Sequence, residues 1–279
     1  MERKLNIAAI FAHPDDLAMF AAGTIARWVE EGHSVFSVCC TNGEVGTLRR
    51  DLTKKEVAQK RKEELLAANK ILGIRKNFML GYPDAGFIEA AKLRKELVYY
   101  VRKLKIDRIV TFDPWVKYEV HPDHMIVGRI AAEAGAFSAF PLLYEDQFKD
   151  GIEPYECSEV WFMGLLGHKP NCIVEISHVL EKKNMAALEF ESTVELLSDL
   201  FGIKIDANKI TEQQWKKLTK KAKKLFTSIA NTIGKKYNIS AAEAFYVQKT
   251  LPGHFDNFQE ILSENLGNPL AAPKIYRIN

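Results

Sequence analysis

The chain has 279 residues, 47% of them apolar and 27% charged, with a formal net charge of +3. That balance excludes a disordered chain, and so small a charge gives no reason to expect nucleic acid or a membrane surface as partner. Cys39, Cys40, Cys157 and Cys172 lack Cys-x-x-Cys spacing, which argues against a zinc ribbon or redox motif and for small buried hydrophobes in a reducing compartment.

Leu5 to Phe11 is a continuous apolar run, the pattern of a parallel strand covered on both faces. It is too short for a signal peptide or a spanning helix and is cut by Ala12-His13-Pro14-Asp15-Asp16, so a cytoplasmic protein is expected. Gly23 to Glu31 carries Ile25, Trp28 and Val29 at helical spacing, with Gly32 as its stop. Ser34 to Cys40 reads as a second strand, completing a right-handed βαβ unit. Thr41-Asn42-Gly43-Glu44 is turn chemistry. Thr53 and Glu56 form a capping box for a helix through Arg61, Glu64, Leu65 and Ala68 to Leu72, stopped by Gly73. Asn77 to Leu80 is a third strand, and Gly81 to Gly86 a loop.

Ala90 to Leu104 has Leu93, Leu97, Val101 and Leu104 on one helical face. Arg108 to Phe112 is a fourth strand, Asp113 to Val120 an aromatic loop, and His124 to Phe137 a helix. Glu159 to Gly164 and Asn171 to Ile176 read as further strands, and Val179 to Leu200 as one long helix. Ile203 to Ile210 is a connector. Gln213 to Lys236 is a lysine-rich helix packed through Leu218, Ala222, Leu225 and Phe226, and an irregular arm starts at Leu251. The expected fold is α/β, an open, mostly parallel sheet with helices on both faces and a helical C-terminal extension. It forms one domain over residues 1–279, with 1–140 as the catalytic half and 141–279 completing it.

Two clusters carry the chemistry. His13-Pro14-Asp15-Asp16 and His121-Pro122-Asp123-His124 each follow the carboxyl end of a strand, where open α/β sheets bind ligands. Imidazoles and carboxylates suit zinc or a related divalent ion, and a catalytic zinc uses three protein ligands and leaves a position for water. His13 and Asp16 face one point if their segment turns, and His124 supplies a third ligand from the other loop. Asp15 is then left over as a base for the water, and His121 as a stabiliser of an oxyanion or a proton donor. These parts fit metal-assisted hydrolysis of an amide or ester. Trp115 and Tyr118, just upstream, are placed to stack on a sugar ring, and Glu44 to support a metal ligand or cap a turn.

At these residues the chain resembles the PIG-L/LmbE-like N-deacetylase family. The resemblance runs in order through Ala12 to Asp16, Gly23, Thr41/Gly43/Glu44, Arg61/Glu64 with Leu72-Gly73, Pro83-Asp84/Gly86 and His121 to His124. Ile176-Ser177 with Lys183, and Ala242-Glu243-Ala244-Phe245, look like weaker C-terminal landmarks. Many members carry His-x-Ser-Gln where this chain has Phe190-Glu191-Ser192-Thr193. The resemblance implies a Rossmann-like fold and one Zn2+ per subunit held by His13, Asp16 and His124. It implies Asp15 as general base, His121 as oxyanion stabiliser or acid, and a small N-acetylglucosamine-containing substrate. Arg61 and Asp84 match positions that line the site and are expected to bind substrate, Arg61 through sugar hydroxyls or anionic groups and Asp84 by accepting from a sugar hydroxyl or orienting His121.

The subgroup that makes bacillithiol has Asp-Arg where this chain has Glu119-Val120. The archaeal diacetylchitobiose deacetylases, another subgroup, are hexameric and bring a histidine from a neighbouring subunit to the site. His254 is the candidate for that role here, which carries the expectation of a homo-oligomer, trimer or hexamer. An amidase acting on a thiol-sugar conjugate or a non-sugar amide, and a non-catalytic binding module, are the alternatives. The intact Asp15 and His121 speak against the last.

Overall fold

The computed structural model describes residues 3–86, 88–117, 119–164, 169–204, 210–250 and 274–276. The first apolar run forms β1 (Asn6–Phe11), buried from Ile7 onward. Its alternate residues enter two different cores: Ile7, Ala9 and Phe11 one, Ala8 and Ile10 the other. That is the period-2 signature of a strand covered on both sides. With β2 (Ser34–Thr41), β3 (Lys76–Tyr82), β4 (Arg108–Phe112), β5 (Glu159–Met163), β6 (Cys172–Glu175), β7 (Ala242–Lys249) and β8 (Lys274–Tyr276) it builds one sheet, ordered β3-β2-β1-β4-β5-β7-β6-β8. β3 through β5 are parallel neighbours, and β7 runs antiparallel to both β5 and β6.

The chain leaves β1 toward β2 on one side and returns through β4 on the other. β1 and β4 are therefore neighbours at the point where strand order reverses, with Ile7 opposite Arg108. The crevice beyond that point is the ligand position of open α/β sheets.

Helices α1 (Asp16–Phe20), α2 (Ala22–Glu30), α3 (Lys54–Leu72), α6 (Leu180–Leu188) and α8 (Glu212–Lys235) cover one face through Leu17, Ile25, Leu65, Ala187 and Leu218. α4 (Ala90–Leu104) and α5 (Pro122–Phe137) cover the other through Leu97, Val101, Val127 and Ile130. The α3 caps form from local chemistry. Thr53 and Glu56 make the capping box, and Gly73 closes the helix in the left-handed region at φ 80°. Along α8, Lys216, Lys217, Lys220 and Lys224 are exposed. Lys221 donates to the Phe201 carbonyl, and Lys223 pairs with Glu181.

The structure departs from the sequence-based elements at six places, one of them β8, which lies in the arm expected to be irregular. The chain is already helical at Asp16, as α1, before α2 begins. β3 continues through Gly81 to Tyr82, because a positive φ of 77° at Gly81 accommodates a register shift against Cys39 and Thr41. α5 starts at Pro122, whose ring suits a first helical position. The single helix expected over 179–200 is broken into α6 and α7 (Glu191–Leu196) at Phe190, which is fully buried. There the Ser192 N–H donates to Glu64 on α3.

The last departure is β7, a strand that holds a buried charge. Glu243 accepts from the N–H groups of Gly23 (3.0 Å) and Thr24 (2.7 Å), and pairs with Lys183 Nζ at 2.6 Å. A carboxylate there answers the positive end of the α2 dipole. Tyr118, His254 and most of the arm from Leu251 lie outside the described residues.

Candidate active site

Ala12 follows the last residue of β1, and its carbonyl accepts both the N–H and the hydroxyl of Thr41, at 2.9 and 2.8 Å. That ties the ends of β1 and β2 together. The chain then turns: Asp16 N donates to the His13 carbonyl at 3.2 Å, and Asp16 Oδ2 accepts the His13 N–H at 2.7 Å. His13 and Asp16 thus project from one tight turn. From β4, Phe112 stacks flat on the His124 ring at 4.0 Å. α5 approaches β4 closely enough that a Cβ on Gly128 would lie 2.5 Å from the Phe112 carbonyl oxygen.

The two clusters meet. His13 Nδ1 lies 3.1 Å from His124 Nε2 and 3.5 Å from Asp16 Oδ2, and His124 Nε2 lies 3.5 Å from Asp16 Oδ1. The opposite ring nitrogens face carboxylates. His13 Nε2 sits 3.3 Å from Asp84 and 3.4 Å from Asp123, and His124 Nδ1 sits 3.3 Å from Glu119. Backing carboxylates of this kind set the tautomer and direction of metal-binding histidines. His121 completes the group, its ring 4.3 Å from that of His13.

Among the described residues two overlapping sets bring their donor atoms within 4.8 Å of one another. They are His13, His121 and His124, and His13 with Asp84, His121 and Asp123. Asp84 Oδ1 and Asp123 Oδ1 are buried without a hydrogen bond. A pocket of nitrogen and carboxylate donors carrying orphaned oxygens fits a divalent cation.

The electrostatics agree. Burial alone would lower the His13 imidazole, but the charge of Asp16 and the nearby carboxylates of Asp123 and Asp84 push it up to about 12. Burial would raise Asp16, yet His13 and His124 hold its carboxyl well below the usual range. His124 is pushed up by Asp16 against its burial. His121 is pushed down by burial and by the charges of His13 and His124. The shifts of His13, Asp16 and His124 record carboxylates balanced by protons in a place where a metal ion would serve instead.

Asp15 lies next to this group, its side chain 16% exposed. Oδ1 pairs with Arg61 Nη2 at 2.7 Å, and Oδ2 accepts from the Thr193 hydroxyl at 2.6 Å. Arg61 itself is buried, its side chain 3% exposed, and its guanidinium also donates to Ser192 Oγ at 3.0 Å and to the Gly46 carbonyl at 3.4 Å. Gly43, at φ 66°, leaves it room, since a Cβ there would lie 2.6 Å from Arg61 Nε. Asp84 is buried against His13 and accepts from the Val45 N–H, while its own N–H donates to Glu44. The structure places the Trp115 ring against Phe162, in a groove with Arg129, Phe137 and Thr250.

The family model described as PIG-L: GlcNAc-PI de-N-acetylase matches residues 8–135. The diacetylchitobiose deacetylase of Thermococcus kodakarensis is 34% identical over 187 residues, 67% of this chain and 69% of that protein. The chain belongs to the PIG-L de-N-acetylase family. It is accordingly an amide-hydrolysing N-deacetylase. A probable N-acetyl-alpha-D-glucosaminyl L-malate deacetylase of Bacillus anthracis is 33% identical over 139 residues, 48% of this chain and 61% of that one. A solved structure of the N,N'-diacetylchitobiose deacetylase from Pyrococcus horikoshii superimposes with a TM-score of 0.74 at 30% identity. It covers 90% of this chain and 85% of its own.

Four residues at the site escaped assignment from the sequence. Asp123 and Glu119 back the histidines from inside or beside the second motif, where carboxylates next to ligand histidines are themselves the signal. Ser192 and Thr193 stand at the His-x-Ser-Gln position, where the retained serine is the one hint.

Proposed function

We propose that the enzyme removes the N-acetyl group from a small N-acetylglucosamine-containing molecule, a chito-oligosaccharide or GlcNAc conjugate, with zinc held by His13, Asp16 and His124. The observation that carries this reading is the sorting of ring nitrogens. His13 Nδ1 and His124 Nε2 converge with Asp16, while the other nitrogen of each ring faces a carboxylate. Bound zinc supplies Lewis acidity and a more acidic water. Asp15, fixed by Arg61 and Thr193, accepts the proton of the water that attacks the acetamide carbonyl. His121, 33% exposed and 4.0 Å from Asp84, faces the developing oxyanion, and the proton that Asp15 took from the water passes to the leaving amine, directly or through His121. Arg61 acts here through Asp15, and Asp84 through His13 and His121. Similarity to diacetylchitobiose deacetylases supports placing chito-oligosaccharides first among substrates.

The test is acetate release from GlcNAc, diacetylchitobiose, GlcNAc-malate and GlcNAc-inositol by the wild type and by Asp15→Asn. We expect turnover of at least one and a loss of about 1,000-fold or more in the variant, with its metal retained. Wild-type-like activity in Asp15→Asn refutes the base assignment, and no acetate from any member refutes the substrate class.

A further inference from the structure

Thr193 lies 178 residues from Asp15 in sequence, yet its hydroxyl donates to Asp15 Oδ2 at 2.6 Å. Arg61 Nη2 holds the other oxygen at 2.7 Å. A carboxylate held by one donor still turns about its Cβ–Cγ bond. Two donors on two oxygens fix its plane and leave each oxygen a second lone pair. Ser192 braces the arrangement: its Oγ accepts from Arg61 Nη1 at 3.0 Å and donates to Glu64 Oε2 at 2.7 Å, and its N–H donates to Glu64 Oε1 at 3.1 Å. The segment reaches the site because the chain breaks from α6 at buried Phe190. It lies outside the residues 8–135 matched by the family model.

We propose that Thr193 is a positioning residue for the hydrolysis: with Arg61 it holds the Asp15 carboxylate in the plane from which it reaches the attacking water. This rests on Asp15 being the base. Thr193→Val keeps the branched shape and removes the donor, and Thr193→Ser keeps the donor. Steady-state kinetics on the best substrate, bound-metal analysis and thermal melting are measured for both.

We expect the Val variant to lose about tenfold or more in kcat, the scale of a hydrogen bond to a charged group, with KM, metal content and melting temperature unchanged. Thr193→Ser should recover kcat to within about threefold. Wild-type kcat in Thr193→Val, a loss confined to KM, or failure of the serine to rescue overturns the proposal. If the Val variant melts early, Thr193→Ala against Thr193→Ser decides: a low alanine and a high serine support it, and equal values overturn it. Asp15→Asn separates the two readings. If it keeps kcat, the base assignment falls and this proposal with it; if it is inactive while Thr193→Val is unimpaired, only the positioning role falls.

Discussion

Each histidine at the centre of the site divides its labour between two nitrogens. His124 offers Nε2 toward His13 and Asp16 and Nδ1 toward Glu119, with its ring laid on Phe112. Removing that imbalance of roles should cost the metal itself. His124→Ala is expected to fold, since its neighbours Val127 and Ile130 anchor α5, but to retain less than about a tenth of the wild-type metal after dialysis. Elemental analysis checks this, and full retention removes His124 from the ligand set. The two motifs were readable because their residues lie within a turn of each other, so spacing and geometry nearly coincide. Thr193 and Ser192 were not readable as site residues. Their roles are defined by partners 178 and 128 residues away, which no local pattern encodes.

At the level of elements, α5 is the piece whose placement matters most, because its first turn carries His121 and His124. It lies close on β4 only because Gly128 has no side chain; a Cβ there would meet the Phe112 backbone oxygen at 2.5 Å. In an exposed helix Gly→Ala stabilises by about 1 kcal/mol. Here the obstacle is backbone and cannot swing away, so overpacking of about 1–3 kcal/mol should win. We expect Gly128→Ala to lower stability by about 1–2 kcal/mol in urea unfolding and to reduce metal affinity, since His124 shifts with the helix. Greater stability in that variant would show that α5 moves freely.

The capped helices were legible because Thr53, Glu56 and Gly73 act within their own turns. The break at Phe190 was not, because 179–200 keeps a helical pattern and it is burial and Glu64 that interrupt it. β7 was missed for a related reason. A glutamate inside a strand argues against burial until Lys183 and the α2 N-terminus are in place to answer it.

For the molecule as a whole, metal binding and proton binding compete. Without metal, the carboxylates of Asp16, Asp123 and Asp84 outweigh burial and push His13 up from its ordinary 6.5 to about 12. Its protonated form therefore stabilises the metal-free fold fully below about pH 6.5, and that contribution is lost as pH rises through about 12. A metal ligand must be deprotonated, so with His13 in the proposed ligand set, binding at neutral pH is expected to release that proton. Calorimetric titration of zinc into the metal-free protein at pH 7, in buffers of different ionisation enthalpy, should report about one proton or more released. The rise in melting temperature on adding zinc should grow between about pH 6 and 9. A pH-independent rise would mean His13 is already neutral in the metal-free protein.

The carboxylate of Glu243 closes the N-terminus of α2 across 220 positions of sequence. On a ribosome adding about 5–20 residues per second, those amides wait roughly 10–40 s for their partner. β6 waits as well, since its antiparallel neighbour is the same late strand. The nascent chain thus carries both histidine clusters long before it can finish the sheet behind them. A chain released early, before residue 242, would hold the reactive side chains on an unfinished scaffold with an open strand edge, a form that proteases and chaperones recognise.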